Sequence, residues 1–193
     1  MGKQRLKGNW KKGVAYDLHT LRSEYLGDDE RGHPQFNTTR SDMGELVYRL
    51  KYNGDQKALP KIVRLLDAVK GIEKADIIVP VPSSDKSRKV QPVVAIADAL
   101  GGRRGVTVVH DLLIKTGGGP QLKNVGDPDE RMAILREHMT INKPERAKGQ
   151  KILLVDDLYR SGATLAIATD ILYEVGKARS VKVLTMTRTR SNR

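Results

Sequence analysis

The chain has 193 residues, 38% of them hydrophobic, which is enough apolar material for one well-packed core and not for several independent domains. It contains no cysteine, so disulfides and thiolate zinc sites are excluded, and the composition suits a reducing cytoplasm. The net charge of +12 is concentrated at the ends. Residues 1–13 hold five Lys or Arg and no acid, residues 177–193 hold six and no acid, and the body between them is nearly neutral. Such ends suit the phosphate backbone of a nucleic acid or another anionic partner; solvated termini of an ordinary enzyme are the plainer expectation.

Residues 1–40 mix Gly, Asn, Asp and Thr with Trp10, Tyr16, Tyr25 and Phe36 and show no sustained period, so short strands and loops forming a cap are expected. Trp10 and Phe36 are the single Trp and Phe of the chain; they either stack on a flat substrate or anchor the cap to the core. His19 and His33 are not spaced as metal ligands and read as surface or packing residues.

Met43, Leu46, Val47 and Leu50 then fall at i, i+3, i+4 and i+7 behind Ser41, a pattern that predicts a capped amphipathic helix. Ile62, Leu65, Leu66 and Val69 predict a second helix, closed by Gly71. Ala75–Pro82 reads as a buried strand ending at its prolines, followed by a polar basic loop over residues 83–89 and a helix starting at Pro92. Residues 106–109 predict a further strand. The stretch 116–128, with Gly117, Gly118, Gly119, Gly126, Pro120 and Pro128, has no apolar period and reads as a lid. Residues 127–139 predict a helix with Met132, Leu135 and Met139 turned inward.

Ile152–Val155 predicts a strand buried on both faces, hence central in a parallel sheet. Asp156 and Asp157 come at its carboxyl end, and Arg160-Ser161-Gly162-Ala163-Thr164 opens the next helix, whose buried face is Leu165, Ala168, Leu172 and Val175. Residues 181–186 predict a last strand. Alternating strands and helices imply a mostly parallel twisted sheet flanked by helices. In such sheets ligands bind at the carboxyl ends of the strands, where loop amides and a helix amino terminus receive a phosphate. Two acids beside a phosphate loop would accept the 2- and 3-hydroxyls of a ribose carrying a 5-phosphate. A buried strand ending in two acids also occurs in receiver domains and metal-dependent phosphatases, which lack the Ser-Gly-Ala-Thr loop after the acids.

The run Val155-Asp156-Asp157 through Ser161-Gly162-Ala163-Thr164 resembles the phosphoribosyl pyrophosphate (PRPP) motif of type I phosphoribosyltransferases. Val79-Pro80-Val81-Pro82 with its basic loop, and Leu50-Lys51-Tyr52 upstream, are similar to the ComF-like subgroup. The likeness covers roughly residues 41–187, leaving 1–40 as a cap or hood and 188–193 as a basic tail. It implies a phosphoribosyltransferase of the pentosyltransferase class using PRPP and magnesium. Asp156, Asp157 and Lys115 would be catalytic, Arg160 to Thr164 the phosphate loop, and Ser83, Ser84, Asp85 and Lys86 the pyrophosphate loop. Gln121, Lys123 and Arg131 would belong to the lid. The magnesium would be held largely by PRPP oxygens, with Asp156 and Asp157 as the available protein ligands. Arg160 stands where purine-salvage members carry an Asp, which argues against a purine acceptor, and the zinc-binding cysteines of many ComF-like chains are absent. A non-catalytic PRPP sensor that binds nucleic acid through the basic ends is the alternative. A cytoplasmic protein without a membrane span is expected, and a homodimer is compatible with the reading.

Overall fold

The computed structural model describes residues 2–83, 85, 90–116 and 127–190, with only the backbone of 128–131. Its frame is a six-stranded sheet in the order β1-β2-β10-β9-β5-β6. The strands are β1 (Gln4–Leu6), β2 (Lys12–Leu18), β5 (Ile77–Pro80), β6 (Thr107–Val108), β9 (Lys151–Tyr159) and β10 (Ser180–Arg188). All neighbouring pairs are parallel except β1 with β2. The expected architecture, a mostly parallel sheet flanked by helices, is the one observed.

Strand β9 lies in the middle because its apolar residues can be covered on both sides. Ile152 and Leu154 enter one core with helix α5 (Ala163–Glu174) and Leu135 of helix α4 (Pro128–Glu137). Leu153 and Val155 enter the other with α1 (Asp42–Tyr52), α2 (Ala58–Leu65) and α3 (Pro92–Arg104). The predicted N-cap of α1 is present, with Ser41 Oγ accepting from the Gly44 amide at 3.0 Å.

The crossover from β5 through α3 leads outward to β6, whereas that from β9 through α5 leads the opposite way to β10. The gap between the carboxyl ends of β5 and β9 is therefore a topological switch point, the place where open α/β sheets leave a crevice. Two antiparallel pairs stand beside the sheet: the hairpin of β3 (Thr20–Asp28) with β4 (Pro34–Arg40), and the non-local pair of β7 (Leu113–Lys115) with β8 (Met139–Ile141), between which α4 lies in the chain.

Several boundaries differ from the sequence expectation. Residues 4–18 are not part of a cap, because β2 pairs in parallel with β10 at Lys12↔Lys182 through Leu18↔Arg188. Their scattered Val14, Ala15 and Leu18 carry little period, and the pairing depends on a partner about 170 residues away, so the segment looks irregular in isolation. What stands off the sheet is the β3–β4 hairpin, with Tyr25, Leu26 and Phe36 exposed. Arg188 closes β10 instead of opening a tail. Trp10 is an anchor: it is buried, meets the Tyr159 ring edge-on at 6.4 Å, and donates from Nε1 to the Leu6 carbonyl. Met139 is buried as expected, but in β8 and not in α4, which stops at Glu137. The lid stretch, apart from Thr116, Asp127 and Pro128, lies outside the described residues.

Gly44 records how closely the N-terminal segment is pressed onto α1. A Cβ there would come within 2.2 Å of the His19 carbonyl oxygen. In an open helix Gly→Ala stabilises by about 1 kcal/mol. Gly44→Ala should instead destabilise the protein, read as a lower urea midpoint, because His19 must be displaced; a higher midpoint would show that this contact is not enforced.

Candidate functional site

At the switch point β9 runs on through both acids to Tyr159, longer than its apolar run suggests. The pleat sends Asp156 and Asp157 to opposite faces, and they end in different environments. Asp157 is buried on the α1 side and meets Lys51 Nζ at 2.5 Å. Its amide donates to Asp156 Oδ1 at 2.8 Å. Asp156 is partly exposed and borders two adjoining clefts.

The first cleft, of about 190 Å³, is lined by Asp156, the run 158–165 and Leu135. Its floor is the start of α5. Gly162 occupies the N-cap position at φ 84° and supplies no side-chain cap; Ser161 Oγ accepts from the Ala163 amide at 3.4 Å, and the first turn opens on the loop. The left-handed backbone favours glycine, and a Cβ would also press within 2.7 Å of the Tyr159 ring. Arg160 and Ser161 are exposed on the rim, Thr164 partly so.

The second cleft, of about 230 Å³, has Lys51, Ser83, Asp85, Lys115, Asp156 and Asp157 in its wall. It shares Asp156 and Thr164 with the first. Proline ends β5 and releases the chain into a tight turn, in which Ser83 Oγ accepts from the Asp85 amide at 3.1 Å. The β7–β8 pair carries Lys115 to the same rim. Burial lowers the Lys115 pKa from its ordinary value, and the Asp156 charge acts against that fall.

The expected residues Asp156, Asp157, Lys115, Ser83, Asp85 and Arg160 to Thr164 are thus brought around one pair of clefts. Ser84, Lys86, Gln121 and Lys123 lie outside the described residues, as does the side chain of Arg131, whose backbone is in α4. Two site residues were not singled out as such from sequence. Lys51 belongs to the Leu50-Lys51-Tyr52 resemblance without a role of its own, and nothing in its spacing points to a carboxylate 106 positions away. His19, read as a surface or packing residue, sits beside the acids. Thr187 Oγ1 donates to the Asp157 carbonyl at 3.1 Å, so the 3.1 Å contact with His19 Nδ1 requires that nitrogen to carry the proton. Burial first, then Arg40, lowers the His19 pKa and favours the neutral ring.

Burial, and then the neighbouring Asp157 charge, raise the Asp156 pKa above the usual carboxylate range. Among the described residues no cluster of three or more His, Cys, Asp or Glu is placed to hold a metal. A divalent ion at Asp156 would therefore complete its shell with oxygens of a bound ligand.

The raised pKa has a consequence for stability. Below the ordinary carboxylate range both folded and unfolded chains carry a protonated Asp156; as pH rises the unfolded chain loses that proton first, so stability falls until the folded-state pKa is passed. Asp156→Asn removes this loss. Its unfolding free energy, read from urea melts at a series of pH values, should match wild type at acid pH and exceed it increasingly toward neutrality, by about 1 kcal/mol or more. A pH-independent difference, or a variant less stable at neutral pH, would contradict the assignment.

No family model matches the chain. The competence protein ComFC of Bacillus subtilis is 30% identical over 152 residues, which is 76% of this chain and 60% of ComFC. This chain therefore spans about three fifths of that relative. Adenine phosphoribosyltransferase of Leishmania donovani superposes with a TM-score of 0.50 at 14% identity, covering 96% of this chain and 74% of that one. The adenine phosphoribosyltransferase of Thermoanaerobacter pseudethanolicus gives 0.48 at 15% identity, over 86% and 95%. Among the described residues no helix is long and apolar enough to cross a membrane.

Proposed function

Because this chain is a ComF-like protein with the type I phosphoribosyltransferase fold, we propose that it binds PRPP with magnesium at the β5/β9 switch point and transfers the phosphoribosyl group to an acceptor. The observation that carries this reading is that two clefts meet at Asp156 and Thr164, one ending on the first turn of α5 and the other on Lys51 and Lys115. A ligand with a phosphate at each end and a polyhydroxylated middle matches that order. The 5-phosphate would take the amides and hydroxyls of 160–164, the ribose hydroxyls would donate to Asp156, and the pyrophosphate would lie toward Ser83 and Lys115.

Within this arrangement the residues do separate work. Asp156 accepts from ribose and, as a carboxylate in a poorly solvated place, is stabilised by the cations that arrive with the ligand. Asp157 serves chiefly by holding Lys51, whose charge also faces the second cleft. Lys115 stabilises the negative charge that grows on the leaving pyrophosphate as the bond to C1 lengthens. Magnesium held largely by PRPP oxygens would supply further charge neutralisation for the same leaving group, with Asp156 as the carboxylate free to reach it, since Asp157 is paired with Lys51. Thr187 and His19 keep the β9 backbone at Asp157 in place. Arg160, where purine-salvage enzymes have an Asp, supports an acceptor other than a purine base.

Calorimetry with magnesium and PRPP tests the binding half of the proposal. Asp156→Asn with Asp157→Asn should weaken affinity by about tenfold or more, since the charge-assisted hydrogen bond from ribose to Asp156 is worth about 1.5–3 kcal/mol and the anchor that holds Lys51 toward the second cleft is lost with Asp157. Unchanged affinity in the folded double variant, or no binding by the wild-type chain, would overturn it.

A further inference from the structure

The two basic ends of the sequence are divided by the fold. Arg188 stands at the carboxyl end of β10 over the Tyr159 ring, whereas Lys12 and Lys182 meet at the opposite end of the sheet. Lys12 opens β2, and its register partner in β10 is Lys182, on the parallel neighbour. Adjacent strands lie about 4.8 Å apart, and like charges in register across a sheet repel. Beside Lys182 the next strand offers Leu153, and one pleat further on the row continues as Val14 beside Leu184.

These residues form the sheet wall of a cleft of about 270 Å³. Val69, Ile72 and the neighbouring turn form the other wall, which adds Lys70, and Lys3 closes the cleft at one end by donating from Nζ to the Ala68 carbonyl at 2.6 Å. The lining is therefore aliphatic at the floor and lysine at the rim, with no acid in it. The carboxylate of Asp67 is occupied by Arg103 and Arg104, and that of Glu73 is held by the amides of Gly71 and Glu73. Among the described residues none of Lys12, Lys70 and Lys182 has an ion-pair partner.

A fold that needed only solubility would not set two lysines side by side over an apolar hollow. Charge complementarity points to an anion, and the floor to an aliphatic body on it. No aromatic ring and no amide or hydroxyl side chain lines the cleft, so it offers nothing for stacking or edge recognition of a nucleobase. We infer that this cleft binds a small amphiphilic anion, an alkyl or acyl chain bearing a carboxylate or phosphate. The chain lies on Val14, Leu153, Leu184 and Ile72, and the head group bridges Lys12 and Lys182, with Lys70 on the facing wall. The site is independent of the PRPP reading, because it lies at the amino ends of β2, β9 and β10 and shares no residue with the two clefts at the switch point.

The test is isothermal titration of the full chain with decanoate, decyl phosphate, decyltrimethylammonium and inorganic phosphate, each below its micelle concentration. Decanoate and decyl phosphate should bind saturably at one site, and the other two should not. The double variant Lys12→Gln, Lys182→Gln should weaken the two anions by about fivefold or more, as expected for the loss of two exposed charge contacts, while PRPP affinity stays as in wild type. Free of ligand, the same variant should melt at a higher temperature, since it removes a repulsion with no compensating acid; if it does not fold, Lys12→Gln alone carries the same two expectations at smaller size. Failure of both alkyl anions to bind, equal binding of the alkyl cation, equal binding of inorganic phosphate, or affinity unchanged in the variants would overturn the inference. So would binding confined to anionic vesicles or to a single-stranded oligonucleotide, which would assign the lysines to a membrane surface or a nucleic-acid backbone.

Discussion

Two consecutive carboxylates at the end of a central strand are the constraint around which this molecule is arranged. Side by side in a partly buried place they repel, and the pleat separates their environments without separating their backbones. Asp157 turns into the α1 layer and is neutralised by Lys51; Asp156 is left facing the clefts with its pKa raised. Removing Lys51 would leave a buried charge without its partner, a change that costs about 3–5 kcal/mol in comparable settings. The last turn of α1, and so the packing of α1 on β2 and β10, is bound up with the chemistry of β9. With its pKa raised, Asp156 is expected to lower stability at neutral pH, the pattern of a group kept for binding.

The crossovers explain why this pair meets a phosphate loop and two cations. Since β5 and β9 send their helices in opposite directions, nothing in the sheet covers their carboxyl ends. The α5 amides, the turn after Pro82 and the β7–β8 pair reach that opening from three sides. His19 reaches it from a fourth, through Thr187, because β2 is a strand of the same sheet. The segment that looks like an appendage in the sequence thus supports the site from beneath.

How much of this is legible in the sequence depends on the range of the interaction involved. The helix over 42–52 shows in the spacing of Met43, Val47 and Leu50 and in Ser41, because cap and period are local. β9 shows in Ile152–Val155, and the phosphate loop in Gly162 and its neighbours, for the same reason. The role of β2 does not show, since its half-buried residues make sense only beside β10. Lys51 and His19 do not show, because their partners lie 106 and 168 positions away. Nor does the pairing of Lys12 with Lys182: charge counting finds two basic ends, and only the register makes these two lysines neighbours.

Crystals of the protein soaked with magnesium and PRPP would test the central claim most directly. The account predicts density bridging both clefts, with the 5-phosphate on the amides of 161–164, the ribose hydroxyls against Asp156, and the pyrophosphate toward Ser83 and Lys115. Well-occupied PRPP elsewhere on the molecule, or bound in the reverse sense with its pyrophosphate on the α5 loop, would contradict it.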